Sequence, residues 1–256
     1  EATRRAFINT KNGELGAEFN GQTLVWGEKL PDPPEPGLVR VIQGEETNEF
    51  MTAEEAFASI TTNATVVLLA DIGHDEPLTV AHTVTLTSGV GGPFELYGTG
   101  SLEVKGGALT LTDVSVAGPK SIDFFGDLLT DIADQPMIYV EDGSLTLGAG
   151  AYVNAYMGVT TAVVRRNDLS AILLKGSTFT MLEDSVIEDC YNLFYDGVTG
   201  DFYDGVKGDS GCGAAVYAYS DSTVNLLGGK IMNCWAEYGA VFLQQGSKGF
   251  VGGDFT

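Results

Sequence analysis

Basic residues are scarce. The 256-residue chain has 13 Lys and Arg against 35 Asp and Glu, a formal net charge of −22. Phosphate backbones are held by clustered Lys and Arg, so this balance argues against nucleic-acid binding. It equally disfavours adsorption to anionic lipid. An acidic chain is soluble, repels copies of itself and suits divalent cations. Histidine is rarer still, with only His74 and His82. The run His74-Asp75-Glu76 has no second ligand at metal spacing, and no His-Glu-x-x-His occurs. A Gly-x-Ser-x-Gly nucleophile elbow is missing too. Three cysteines, Cys190, Cys212 and Cys234, exclude a disulfide-dense scaffold and a four-cysteine zinc site. No apolar run reaches the ~18 residues of a membrane span. The chain opens at Glu1 without Met or a leader, as expected of a processed chain.

Apolar residues make up 44% of the chain, enough for a substantial core. They recur in a pattern. Met137-Ile-Tyr-Val-Glu-Asp-Gly-Ser-Leu-Thr-Leu147 overlays Ala171-Ile-Leu-Leu-Lys-Gly-Ser-Thr-Phe-Thr-Met181. Both overlay Ala215-Val-Tyr-Ala-Tyr-Ser-Asp-Ser-Thr-Val-Asn-Leu226, which has one extra residue in its turn, and a fourth copy starts at Ala240-Val-Phe-Leu. Each copy is a short apolar strand, a turn of Gly, Ser or Asp, and a strand alternating apolar residues with Thr, Ser or Asn. Repeats of this kind stack, each unit burying its apolar face on the next. The fourth copy is cut by the end of the sequence at Thr256, which implies further copies beyond it.

Residues 1–30 read as an N-terminal β segment: Arg5-Ala-Phe-Ile-Asn, Gly16-Ala-Glu-Phe-Asn and Thr23-Leu-Val-Trp, with a tight turn at Asn12-Gly13 between the first two. Residues 31–37, Pro-Asp-Pro-Pro-Glu-Pro-Gly, form a stiff linker. From residue 38 to 256 the stacked domain follows. Thr52 and Glu55 make a capping box for a short helix with Ala53, Phe57 and Ile60 on one side. Thr65-Val-Val-Leu-Leu reads as a strand buried on both faces. The strands after it are short, alternate at period two and are separated by Gly-rich turns such as Gly98-Thr-Gly100. Such spacing suits the corners of a coil passing through three short sheets per turn. Two insertions interrupt it, at 118–136 and 191–213. The first carries Asp123, Asp127, Asp131 and Asp134 opposite Phe125, Leu129 and Ile132, the pattern of an amphipathic helix with a solvated acidic face.

Gly213-Ala-Ala-Val-Tyr, Ser222-Thr-Val-Asn-Leu-Leu-Gly-Gly-Lys-Ile-Met-Asn-Cys and Glu237-Tyr-Gly-Ala-Val-Phe-Leu together resemble the right-handed parallel β-helix domains of bacterial cell-surface proteins, of adhesin and autotransporter-passenger type. The opening Glu54-Glu-Ala-Phe-Ala-Ser-Ile followed by Val66-Val-Leu-Leu-Ala-Asp-Ile resembles the helix and strand that cap such coils. The resemblance spans residues 50–256. It implies an all-β solenoid with a short helical N-terminal cap, located outside the cell or on its surface. Fold alone does not settle function, since polysaccharide lyases and hydrolases share this architecture.

Residues 194–209 hold a tandem octad, Phe194-Tyr-Asp-Gly-Val-Thr-Gly-Asp201 and Phe202-Tyr-Asp-Gly-Val-Lys-Gly-Asp209, alike at seven of eight positions. Asp196, Asp201, Asp204 and Asp209 offer hard oxygen ligands suited to calcium. Phe194, Tyr195, Phe202 and Tyr203 offer faces for a sugar or a protein partner. A plain duplicated hairpin explains the same residues. For a lyase, Arg165-Arg166 with Asp168 is the only basic pair in the coil. Cys190 and Cys234 end equivalent strands, placing them as stacked neighbours, either as buried thiols or as a disulfide. The residues point to a non-enzymatic extracellular module, an adhesive or structural stalk. Its partners would be a host or matrix protein, a glycan, or copies of itself joined through strands of residues 1–30. A carbohydrate-active enzyme is the alternative.

Overall fold

In the computed structural model the described residues are 15–20, 23–28, 37–118, 136–154, 159–161, 170–190, 193–196, 201–203, 213–234, 236, 239–244 and 246–253. The chain divides into two compact units, Glu1–Pro36 and Gly37–Thr256. The boundary falls one residue before the end of the expected linker, because Gly37 is buried beside Glu49.

In the first unit Leu15–Asn20 and Thr23–Glu28 pair antiparallel, Asn20 opposite Thr23. These are two of the three expected strands, and they pair with each other. Arg5–Asn9 and the Asn12-Gly13 turn lie outside the described residues.

The second unit is all-β and built almost wholly from parallel strands in three sheets. The chain visits the sheets in rotation. The first sheet takes Leu78–Val80, Leu102–Lys105, Ile138–Glu141, Ile172–Lys175, Val216–Tyr219 and Val241–Leu243. The second takes Ala64–Leu68, Thr83–Ser88, Ala108–Leu111, Ser144–Leu147, Thr178–Met181, Thr223–Leu226 and Lys248–Val251. The third takes Ile72–His74, Phe94–Gly98, Val114–Ala117, Tyr152–Asn154, Val186–Glu188 and Lys230–Met232. The overlay read from the sequence is the register observed: Ile138 pairs with Ile172, and Ile172 with Val216.

Period-two alternation sends every second residue inward, where identical positions of successive turns lie in files. One file is Leu78, Leu102, Ile138, Ile172 and Val216; a second is Val84, Leu109, Leu145, Phe179 and Val224; a third is Leu96, Val116, Val153 and Ile187. All are at most 2% exposed and belong to one continuous core. Outward positions of the second sheet are held by Thr85, Thr110, Thr146 and Thr180. Ala64–Leu68 obeys the same alternation. Only Ala64, Val66 and Leu68 are buried, so the strand is covered on one face, not two.

Corners need residues that accept a left-handed backbone. Between the first and second sheets that place is taken by Gly106 (φ 70°), Asp142 (φ 51°), Gly176 (φ 58°) and Asp221 (φ 61°). Between the second and third it is taken by Asp113 (φ 49°), Gly150 (φ 69°), Asp184 (φ 59°) and Gly229 (φ 89°). Serines bond one turn to the next: Ser177 Oγ donates to the Val140 carbonyl at 3.0 Å, and Ser222 Oγ accepts from Ser177 N at 3.1 Å.

The N-terminal end is closed. Helix α1, Ala53–Ala58, starts at Thr52, whose side chain accepts from Glu55 N at 3.2 Å. Its buried Ala53, Ala56 and Phe57 join the core. Val39–Gln43 pairs antiparallel with Ala64–Leu68 on one side and with Glu46–Phe50 on the other. That last strand carries no apolar pattern, and periodicity does not reveal it. It is an exposed, acidic edge, which discourages pairing with another chain.

His74 is buried in the first turn, its Nδ1 3.1 Å from the Glu76 carbonyl, which makes Nδ1 the protonated nitrogen. Burial holds its pKa below the ordinary imidazole value, against the pull of the Glu76 carbonyl, Glu54 and Asp75. A folded-state pKa below the unfolded one means stability is full above pH ~6.5 and falls as pH drops toward the folded value, at up to ~1.4 kcal/mol per pH unit. Urea unfolding at stepped pH should show this decline in the parent and not in His74→Gln.

Candidate functional site

The turns differ at one place. From the third sheet to the next strand of the first, the chain takes short paths between His74 and Leu78 and between Gly98 and Leu102, and again between Met232 and Val241. It takes long paths between Ala117 and Ile138, Asn154 and Ile172, and Glu188 and Val216. Three consecutive turns therefore carry excursions at the same corner. Two of these are the expected insertions. The third, within 155–169, was hidden because its strand Val159–Thr161 continues the repeat: Val159 pairs with Leu193 at the 34-residue spacing that relates Ile138 to Ile172 and Tyr152 to Val186.

Val159–Thr161, Leu193–Asp196 and Asp201–Tyr203 form a separate three-stranded sheet made only of excursion residues. The tandem octad supplies its hairpin. Phe194 pairs with Tyr203, Tyr195 with Phe202 and Asp196 with Asp201, so the two Phe-Tyr-Asp copies lie along each other. Asp204 and Asp209 lie outside the described residues, as do the 123–134 acidic face, Arg165, Arg166, Asp168 and Cys212. Among the described residues no group of three or more His, Cys, Asp and Glu could hold a metal. No described helix is long and apolar enough to cross a membrane.

Each excursion returns into the first sheet, whose outer face is aromatic. Reading up the stack, one outward file runs Glu103, Tyr139, Leu173, Tyr217, Phe242, and its neighbour runs Lys105, Glu141, Lys175, Tyr219. The Tyr217 and Tyr219 rings stack with centroids 5.5 Å apart, and Tyr217 meets Phe242 at 5.6 Å. Leu173 lies between Tyr139 and Tyr217 in the file and is only 5% exposed despite facing outward. Burial pushes the Tyr139 hydroxyl pKa well above the ordinary phenol value, reinforced by the Tyr219 hydroxyl and the Glu141 carboxylate it bonds. Polar groups rim the rings. Lys175 Nζ is 2.5 Å from Glu141, and Lys105 Nζ is 2.6 Å from Glu103. The hydrogen bond from Lys175 holds the Glu141 carboxyl below the usual range. Tyr217 donates to Gln244 Oε1 at 3.3 Å.

Planar rings flanked by carboxylates, ammonium groups and an amide match the two needs of a sugar ring, an apolar face to cover and hydroxyls to bond. Sequence reasoning placed recognition in the octad and did not single out Tyr139, Tyr217, Tyr219 and Phe242. The available signal was an aromatic recurring at the outward position of the first strand, at 139, 217 and 242, where the second strand has Thr.

No family model matches this chain, and neither the curated proteins nor the solved structures yield a match.

Proposed function

We propose that the second unit is a right-handed parallel β-helix serving as an extracellular, non-enzymatic adhesive stalk of a bacterial surface, and that it grips a glycan. The rotation of the chain through three parallel sheets supports the coil. Right-handedness follows from strand twist, which makes nearly all parallel crossovers right-handed. The stalk reading draws on the unbroken in-register files, since each turn contacts only its neighbours and the stack resists bending. One observation carries recognition: the aromatic file Tyr139, Tyr217, Phe242 with Tyr219 lies on the sheet into which all three excursions return. The net charge of −22 favours neutral or amino sugars over polyanionic chains.

A glycan array probed with the parent protein, followed by titration of the best ligand, tests this. Tyr139→Ala with Tyr217→Ala should weaken binding at least about tenfold, ~1.4 kcal/mol. Excising 194–209 should weaken it as well, and Thr146→Ala, on the second sheet's outer face, should leave it unchanged. Binding that survives both the tyrosine pair and the excision removes the site. Rising ultraviolet absorbance on uronate polymers would instead identify a lyase.

A further inference from the structure

Two cysteines occupy one position of successive turns. Val186–Glu188 and Lys230–Met232 pair in parallel, Glu188 opposite Met232. Beyond each strand the backbone takes the same unusual step: Asp189 has φ 54° and Asn233 has φ 52°. Asp189 N donates to the Met232 carbonyl at 3.3 Å, so the ladder continues through that step. The next residues are Cys190 and Cys234. Their side chains repeat as well, since Cys190 Sγ donates to the Glu188 carbonyl at 3.4 Å and Cys234 Sγ to the Met232 carbonyl at 3.1 Å, each two residues back. Paired parallel strands stand about 4.8 Å apart. Disulfides span Cα separations of roughly 4.4–6.8 Å. No bond joins the two sulfurs, and Cys190 lies close enough to bond a Cys234 thiolate.

We propose that Cys190 and Cys234 are an oxidisable dithiol, closed by a disulfide-class oxidant into a bond that staples the turn carrying the 191–212 excursion to the turn after it. Cys234 is the entry point, being half-buried where Cys190 is 1% exposed. The Cys190 hydrogen bond favours the Cys234 thiolate, outweighing burial and the nearby Asp189 and Glu188 carboxylates. That thiolate attacks one sulfur of the oxidant, whose S–S bond breaks. The first leaving thiolate takes the proton Cys234 lost. Cys190 then attacks Cys234 Sγ and breaks the mixed disulfide, and its proton goes to the second leaving thiolate. Two protein thiols and one disulfide become one protein disulfide and two small thiols. The staple sits at the root of the excursion hairpin, so oxidation fixes one end of that segment to the stack. This holds whatever the module binds.

The test uses the whole chain with Cys212→Ser, incubated with glutathione disulfide, alkylated and digested without reduction. A cross-linked peptide pair containing Cys190 and Cys234 is expected, together with a melting temperature about 5–10 °C above that of the dithiothreitol-treated protein. Cys234→Ala in the same background should show neither the cross-link nor the dithiothreitol-dependent shift. Full alkylation of both thiols after oxidation overturns the proposal. So does a bond that forms only in the parent and involves Cys212.

Discussion

Phe179→Ala will destabilise the second unit by about 3–5 kcal/mol, a large share of the ~5–15 kcal/mol that holds a typical domain. Among the described residues Phe179 heads the fully buried side chains by size and is 0% exposed. Leu145 lies beneath it and Val224 above it in the same inward file, and Met181 is the next inward residue of its own strand. The strands on both sides are hydrogen-bonded in fixed register, so neither can slide inward to fill the gap. The cost is therefore lost burial plus an uncollapsed cavity. Because contacts run only between neighbouring turns, the loss should also be directional. Amides of Val216–Tyr219 and Thr223–Leu226 should exchange faster, and those of Thr83–Ser88 should keep the parent rate. Thr180→Ala, one residue away on the outer face, should change stability by no more than ~0.5 kcal/mol. Urea unfolding with hydrogen exchange reads both effects. Equal costs at 179 and 180 would mean the core is not continuous at this turn.

What the sequence revealed of the fold follows from the same geometry. Where one face is dry and the other wet, alternation is forced, and Ile138, Ile172 and Val216 could be aligned by eye because stacking demands the same residue class at the same step. Corners were legible for a related reason: Gly, Asp and Asn sit most comfortably at the left-handed positions occupied by Gly176, Asp142 and Asp221. The capping box at Thr52 is local chemistry and was equally visible. Elements that bury little left no pattern. Glu46–Phe50 is an edge strand held by backbone bonds and one ion pair, Arg40 Nη2 to Glu49 Oε1 at 2.7 Å, and its five residues show no alternation. Val159–Thr161 was hidden because it falls at the 34-residue spacing of the repeat and its partner lies inside the 191–213 insertion.

The proposed recognition surface was half legible. A tandem duplication such as 194–209 attracts notice, and its two copies do pair as hairpin arms. The aromatic file did not stand out, because Tyr139, Tyr217 and Phe242 are far apart in the chain and fall into one file, with Leu173 between the first two, only through the register of the first sheet. Outward positions join no continuous core file, so their residue types change from turn to turn, as Glu103, Tyr139, Leu173, Tyr217 and Phe242 do, and leave no periodic signal.

Gly98→Ala should be nearly as damaging as the core truncation, by about 2–5 kcal/mol, though no apolar contact is removed. At this corner the chain passes from the third sheet to the first between Gly98 and Leu102, without the excursions that later turns carry. So short a path brings it against the turn below. Gly98 has φ 149°, and a methyl group there would be driven into the His74 carbonyl oxygen, part of a paired strand that cannot retreat. Gly100 is confined as well, a methyl there lying 2.6 Å from His74 Nδ1. Gly44 is the control: its φ is 61°, nothing lies within 4 Å of an added methyl, and the cost there is backbone strain alone, about 1–2 kcal/mol. Thermal unfolding of the two variants should rank them in that order. Gly98→Ala should also loosen the pocket around His74, so the decline in stability below pH ~6.5 should shrink as the imidazole regains water. A Gly98→Ala protein as stable as Gly44→Ala, with the parent's pH profile, would mean that this corner has room to spare and that tight return of the chain does not set its path.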